Sequence, residues 1–139
     1  YPLEFLDPFE RAMDIGSGAG FPAIPLASAR PEVSFTLVEP TKKRIAFLNF
    51  VAIKLGLKNI RLEDKRIEEM NEGQFDLITS KAVMSTARLY GLAGHMMAQN
   101  GVMVLYKGRD TDDETAGVPG IETIDTPHSR YLLIRKESP

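Results

Sequence analysis

Between Arg11 and about Gly108, short apolar runs suited to strands alternate with segments whose apolar residues recur at helical spacing. A strand followed by a helix returns its chain to the same end of the sheet, so this alternation predicts a parallel, doubly wound sheet with helices on its faces. Arg11 to Ile15 reads as the first strand, Pro22 to Ala29 as the first helix, and Val33 to Glu39 (VSFTLVE) as the second strand. Thr41 is placed to cap the next helix and Gly56 to end it, with Ile45, Leu48, Ala52 and Leu55 as its inward stripe. Lys58 to Glu63 gives a third strand, Arg66 to Met70 a short helical turn, and Phe75 to Thr79 (FDLIT) a strand buried on both faces. Met84 to Ala98 is expected as a helix closed by Asn100-Gly101, and Val102 to Tyr106 (VMVLY) as the fifth strand.

The pattern changes after Lys107. Arg109 to Pro119 is charged and punctuated by glycine and proline, so it reads as a loop or a short helix. Ile121 to Asp125 and Tyr131 to Arg135 then read as two strands around a turn at Pro127, which adds an antiparallel hairpin to the sheet. Repeats, low-complexity tracts and an internal domain boundary are absent from the sequence.

The connection from first strand to first helix carries the strongest chemical signal. Asp14 to Phe21 reads DIGSGAGF, and its three glycines let the backbone turn sharply and approach a ligand. A dinucleotide fingerprint, GxGxxG, would need a third glycine at position 21, where Phe21 stands. What is present is DxGxGxG, with Asp14, Gly16, Gly18 and Gly20, the loop form associated with S-adenosylmethionine. That cofactor has no pyrophosphate, so such a loop fits a ribose and a zwitterionic methionine tail instead of anchoring phosphates. Together, loop and hairpin give the expected architecture: an α/β, Rossmann-like class I S-adenosylmethionine-dependent methyltransferase fold, mostly parallel, with a C-terminal antiparallel hairpin.

Composition removes several other chemistries. With 139 residues and 43% hydrophobic content, the chain is expected to form one domain with a single core. It has no cysteine, which excludes disulfides and thiolate catalysis, and its two histidines, His95 and His128, stand in no metal-ligand spacing. No apolar run approaches a membrane span and no signal peptide stands at the start, so the expected location is the cytoplasm. A net charge of −2 gives no global basic field, so a nucleic-acid partner would have to meet a local patch.

Further candidates follow from position on the ligand edge of such a sheet. Glu39 ends the second strand, where this type of fold places a carboxylate that binds both ribose hydroxyls. Phe21 is placed to cover the cofactor's edge, although a core phenylalanine would read the same way. After the third strand, a backbone N–H and Ile67 are placed to read the adenine while Glu68 stays exposed. Ser80-Lys81-Ala82 follows the fourth strand, which makes Lys81 the candidate cation near the transferred methyl group. An ordinary surface lysine is the competing reading.

The order DIGSGAGFPAIPLA, RP, LVE, KKRIAFL, LGLKNI, RIEE, FDLITSKA and YKG, from about Ala12 to Gly108, resembles the RsmG/GidB family of bacterial ribosomal RNA small-subunit methyltransferases. PHSRYLLIRK is similar to that family's C-terminal strand. The glycine loop alone would give only the superfamily; the GFPAIPLA continuation and the KRIAFL helix discriminate further. The resemblance implies cofactor contacts at Gly16, Phe21, Ile67, Glu68 and Lys81, with Glu39 as the ribose carboxylate. After the fourth strand the family pattern is SRA, whereas Lys81 here keeps the charge and loses the planar fork of arginine. Family members also carry a helical region before the first strand, where this sequence has Tyr1 to Glu10. The expectation is therefore a single methyltransferase domain, residues 1–139, lacking that N-terminal helical region. Phe50 and Ile53 lie off the main apolar stripe of their helix, which points to a covering segment from elsewhere.

The resemblance also implies methylation of guanine N7 in 16S ribosomal RNA by direct in-line attack, on RNA or on the small ribosomal subunit, with no membrane and no metal. N7 is already a lone-pair acceptor, so this chemistry needs alignment and no base, and no catalytic residue is assigned beyond Lys81 as a candidate. Lys43, Arg44, Lys107 and Arg109 are the candidate RNA contacts beside Lys81. Two readings remain beside it: a small-molecule methyltransferase, and a non-catalytic S-adenosylmethionine-binding domain. A nicotinamide-dependent reductase is disfavoured by Phe21.

Overall fold

The structure, a computed structural model, describes residues 10–16, 23–70, 73–81, 85–107, 121–125 and 130–135. In chain order its elements are β1 (Arg11–Ile15), α1 (Ala23–Ala29), β2 (Ser34–Val38), α2 (Lys42–Lys54), β3 (Ile60–Glu63), a 3-10 turn (Ile67–Glu69), β4 (Phe75–Lys81), α3 (Thr86–Ala93), a second 3-10 turn (Gly94–Met96), β5 (Met97–Lys107), β6 (Ile121–Asp125) and β7 (Arg130–Arg135). They form one seven-stranded sheet in the order β3-β2-β1-β4-β5-β7-β6. The first five positions pair in parallel, and β7 runs antiparallel to both β5 and β6. Both the doubly wound sheet and the hairpin expected from the sequence are therefore present.

Strand residues alternate between two apolar layers because successive side chains point to opposite faces. Ala12, Phe35, Leu37, Leu77 and Val104 pack beneath α1 and α2, through Ile24, Leu26 and Leu48. Met13, Ile15, Val38, Ile78 and Leu105 face the other way, against Ile67, Leu89 and Met96. Polar latches hold the strand starts in register. The Asn59 side-chain amide donates to the carbonyls of Ala27, Arg30 and Val33 at 3.2, 3.1 and 2.9 Å, tying the α1–β2 turn to β3. Asp76 accepts the N–H groups of Glu10 and Arg11, both at 3.0 Å, which fixes the start of β1 beside β4.

Three local expectations are corrected. The helix expected over Met84 to Ala98 is shorter: α3 ends at Ala93, and Met97 already pairs with Phe75. Gly94 weakens further helix, and pairing with β4 takes over. Asn100-Gly101 does not close a helix; it forms an irregularity within β5, where Phe75 pairs with Met97 but Leu77 pairs with Val102. Asn100 adopts φ 64°, and a Cβ on Gly101 would lie 2.8 Å from the Ala98 carbonyl oxygen, so the pair serves a bulge. Thr41 does occupy the cap position of α2, but its side chain makes no cap hydrogen bond.

The inward stripe of α2 is also narrower than expected. Leu48 and Ala52 are buried, whereas Leu55 is 55% exposed at the helix end. Phe50 and Ile53 are exposed, at 62% and 71%, as their off-stripe positions predict, and Phe47 joins them. The expected loop over Arg109 to Pro119 lies outside the described residues.

Candidate functional site

In an open parallel sheet the strands deliver their following loops to one edge, and β1 is where the chain order reverses. Gly16, directly after β1, has φ 71°, a backbone region that glycine adopts without steric cost. Its N–H donates to the Val38 carbonyl at 2.8 Å, holding the turn against the end of β2. Asp14 is 2% exposed and accepts a hydrogen bond from the Thr79 hydroxyl at 2.5 Å. It braces β1 against β4 beneath the turn and does not line the cleft above it. Gly18, Gly20 and Phe21 lie outside the described residues.

Glu39 follows β2 and is 1% exposed, yet it lines the cleft at that edge. Its carboxylate accepts the Thr41 N–H at 2.9 Å, which orients the side chain at the start of α2. A buried carboxylate requires such partners, because desolvation without them is costly. After β3, the 3-10 turn brings Ile67 and Glu68 into the same wall, Ile67 buried and Glu68 exposed. Glu69 folds back to accept the Arg66 N–H at 2.8 Å, clasping this turn.

The resulting cleft has a volume of about 390 Å³ and is lined by Ile15, Gly16, Val38, Glu39, Thr41 and Ile67, among others. A turn with room for close backbone approach, an apolar wall and an edge carboxylate match a nucleoside with free ribose hydroxyls. The donor set therefore fits S-adenosylmethionine.

Three arginines from separate elements complete the lining: Arg44 of α2, Arg66 before the 3-10 turn and Arg88 of α3. Arg44 belongs to the sequence candidates, whereas Arg66 and Arg88 do not. Their signal was available: Arg66 immediately precedes Ile67, and Arg88 lies three residues after Ser85, whose hydroxyl accepts the Arg88 N–H at 3.3 Å as the cap of α3. Lys43 is exposed on the first turn of α2 but does not line the cleft. That turn carries Lys42, Lys43 and Arg44 and no acid, an arrangement the helix dipole disfavours.

Lys81 ends β4, exposed and in register with Tyr106, and it too is not part of the cleft lining. Lys107 ends β5, in register with Arg130, and Arg109 lies outside the described residues. Tyr106 packs edge-on against Tyr131, with ring centroids 4.8 Å apart. Burial, then the neighbouring Tyr131 and Asp14, pushes its phenol above the ordinary tyrosine range and keeps it neutral. Among the described residues no group of acidic or histidine side chains is arranged to hold a metal ion, and no helix is long and apolar enough to cross a membrane.

Known proteins give a consistent picture. The family described as rRNA small subunit methyltransferase G (GidB) matches residues 2–130. The chain is 44% identical over 133 residues to a ribosomal RNA small subunit methyltransferase G of Wolinella succinogenes, covering 96% of this chain and 69% of that protein. It is 49% identical over 116 residues to the protein of the same name in Helicobacter acinonychis, covering 83% of this chain and 65% of that one. The chain thus spans about two thirds of the length of these relatives. Among solved structures, the S-adenosylmethionine-dependent methyltransferase SibL superposes with a TM-score of 0.79 at 14% identity, over 99% of this chain and 54% of its own. PKMT2 of Rickettsia typhi in complex with AdoHcy gives 0.64 at 20% identity, over 71% and 21%. These two likenesses establish the methyltransferase fold.

Proposed function

Since the chain belongs to the rRNA small subunit methyltransferase G family, we propose that it transfers a methyl group from S-adenosylmethionine to guanine N7 of 16S ribosomal RNA, by direct in-line attack. One observation carries the reading: a buried carboxylate, Glu39, stands at the end of β2 in a cleft that also contains the left-handed Gly16 and the apolar Ile67. In this reading Glu39 holds the ribose hydroxyls, Gly16 lets the backbone approach the cofactor, and Ile67 packs on the adenine. Glu68 is a secondary cofactor contact in the cleft wall, Lys81, outside that wall at the end of β4, is the cation offered to the cofactor's methionine end, and Asp14 supports the loop from below. Gly18, Gly20 and Phe21 complete the loop. The bound cofactor supplies an electrophilic methyl group.

The chain's own residues have no proton to remove, because guanine N7 presents a lone pair. Their work is to hold the two reactants in line and to exclude competing orientations. The partner is 16S ribosomal RNA or the small ribosomal subunit, in the cytoplasm, with Lys43, Arg44, Lys107 and Arg109 among the cations facing it. Neither a membrane nor a metal takes part. Residues 1–139 form one methyltransferase domain, and the family's N-terminal helical region covers Phe47, Phe50 and Ile53 on α2, whose exposure supports this part of the reading.

The test supplies labelled S-adenosylmethionine and the full-length protein to small ribosomal subunits lacking the modification, then maps the labelled nucleotide. Label at a guanine N7 of 16S ribosomal RNA is the expected result. Incorporation only into small molecules, protein or DNA would contradict it.

A further inference from the structure

We infer that Arg44, Arg66 and Arg88 form a phosphodiester-binding rim that grips the RNA strand on either side of the target guanosine. This inference rests on the ribosomal RNA reading above and assigns the residues that hold the strand. The cofactor fills the cleft of about 390 Å³, so the target base meets the transferred methyl group at its opening only when unstacked, and its sugar and flanking phosphates stay on the rim. The three arginines line that cleft from α2, from the segment before the 3-10 turn and from α3. All three are exposed, and among the described residues none makes an ion pair.

The charge arrangement supports phosphate in particular. The cleft's acids do not neutralise the arginines: Glu39 is buried and turned to the Thr41 N–H, and Glu68 pairs with none of the three. A guanidinium fork matches two phosphate oxygens at once, so cations left without carboxylates are prepared for an incoming polyanion. Placing three of them around one opening disfavours the free state slightly and favours a ligand that brings negative charge.

The experiment uses full-length protein carrying Arg44→Gln, Arg66→Gln or Arg88→Gln, with Arg→Lys at each position as the conservative variant. Calorimetry with S-adenosylhomocysteine reads the cofactor site. KM for unmodified small subunits, measured from about 0.05 to 0.2 M salt, reads phosphate contact through counterion release. Each glutamine variant is expected to raise KM roughly 10-fold, lower the salt slope by about one, and leave cofactor affinity within about 2-fold. The lysine variants are expected to recover the salt slope. Binding of a mixed-sequence single-stranded RNA provides a readout independent of methyl transfer, and the same loss of slope is expected there.

An unchanged salt slope in both assays would overturn the rim. Loss of cofactor affinity matching the loss in KM would assign these arginines to the cofactor and also overturn it. Equal competition by millimolar inorganic phosphate, with no salt-dependent RNA binding, would make the site one for free phosphate. If the unaltered protein binds RNA with the expected slope yet labels no subunit RNA, the parent reading fails and the rim stands.

Discussion

Two clefts lie on either side of the Ile67–Glu69 turn, and they share a charge count but not a charge arrangement. The upper one, about 390 Å³, contains Arg44, Arg66 and Arg88 with Glu39 and Glu68. The second, about 320 Å³, contains Arg11, Arg61 and Lys65 with Glu63 and Glu69. In the second cleft one acid already engages two of the three cations: Glu63 meets Arg61 at 3.1 Å and Lys65 at 3.7 Å. Arg11 sits over the Phe75 ring, 5.2 Å from its centroid. Glu69 is turned away to the Arg66 N–H. A cation held by a carboxylate must surrender that partner before it can grip a phosphate, so equal formal charge gives unequal capacity for an anion. Sequence charge counting could not separate these two places; their hydrogen bonds and ion pairs do.

The sharpest way to break the comparison lies in the upper cleft. Gly16→Val forces a β-branched residue into a left-handed turn and fills space facing the ligand, and cofactor affinity should fall about 100-fold or more, with strain on the order of 1–3 kcal/mol. Calorimetry with S-adenosylhomocysteine measures it. Next, Thr79→Val removes the hydroxyl that meets buried Asp14 and should lower stability by about 1–3 kcal/mol, read by urea unfolding. In the second cleft, the pair Arg61→Gln and Lys65→Gln leaves the Glu63 carboxylate, 16% exposed, without its cations and should lower stability by roughly 1–2 kcal/mol, while the salt slope of RNA binding stays unchanged because these cations are already held. A slope that fell as far as it does for Arg66→Gln would erase the distinction between the clefts.

The smallest effect at neutral pH concerns Tyr106. Its phenol is raised in the folded chain, so the unfolded chain releases that proton first as pH climbs past about 10. Stability is therefore fully present below that pH and is lost above it. Tyr106→Phe should flatten this alkaline loss, as read by thermal unfolding across pH 9 to 11.

Much of the molecule was legible because it is local. β1 spans Arg11–Ile15 and β6 spans Ile121–Asp125, as their apolar and turn patterns predict, and Glu39 and Ile67 stand where the ends of β2 and β3 must deliver them. What failed depends on distant partners. Asn100-Gly101 reads locally as a helix stop, and only the offset between β4 and β5 shows it to be a bulge. Leu55 has the spacing of a core residue, but α2 ends there and nothing described covers it. Arg88 was missed because only the fold brings the start of α3 to the cleft wall formed by Glu39, Arg66 and Ile67.

The assignment of the upper cleft is tested most directly by titrating S-adenosylhomocysteine into the full-length protein and its Glu39→Gln variant. Saturable one-site binding is expected, weakened roughly 10- to 100-fold by the substitution, as for loss of a charged hydrogen-bond acceptor. Equal affinity in the two proteins, or no binding to either, would contradict the account.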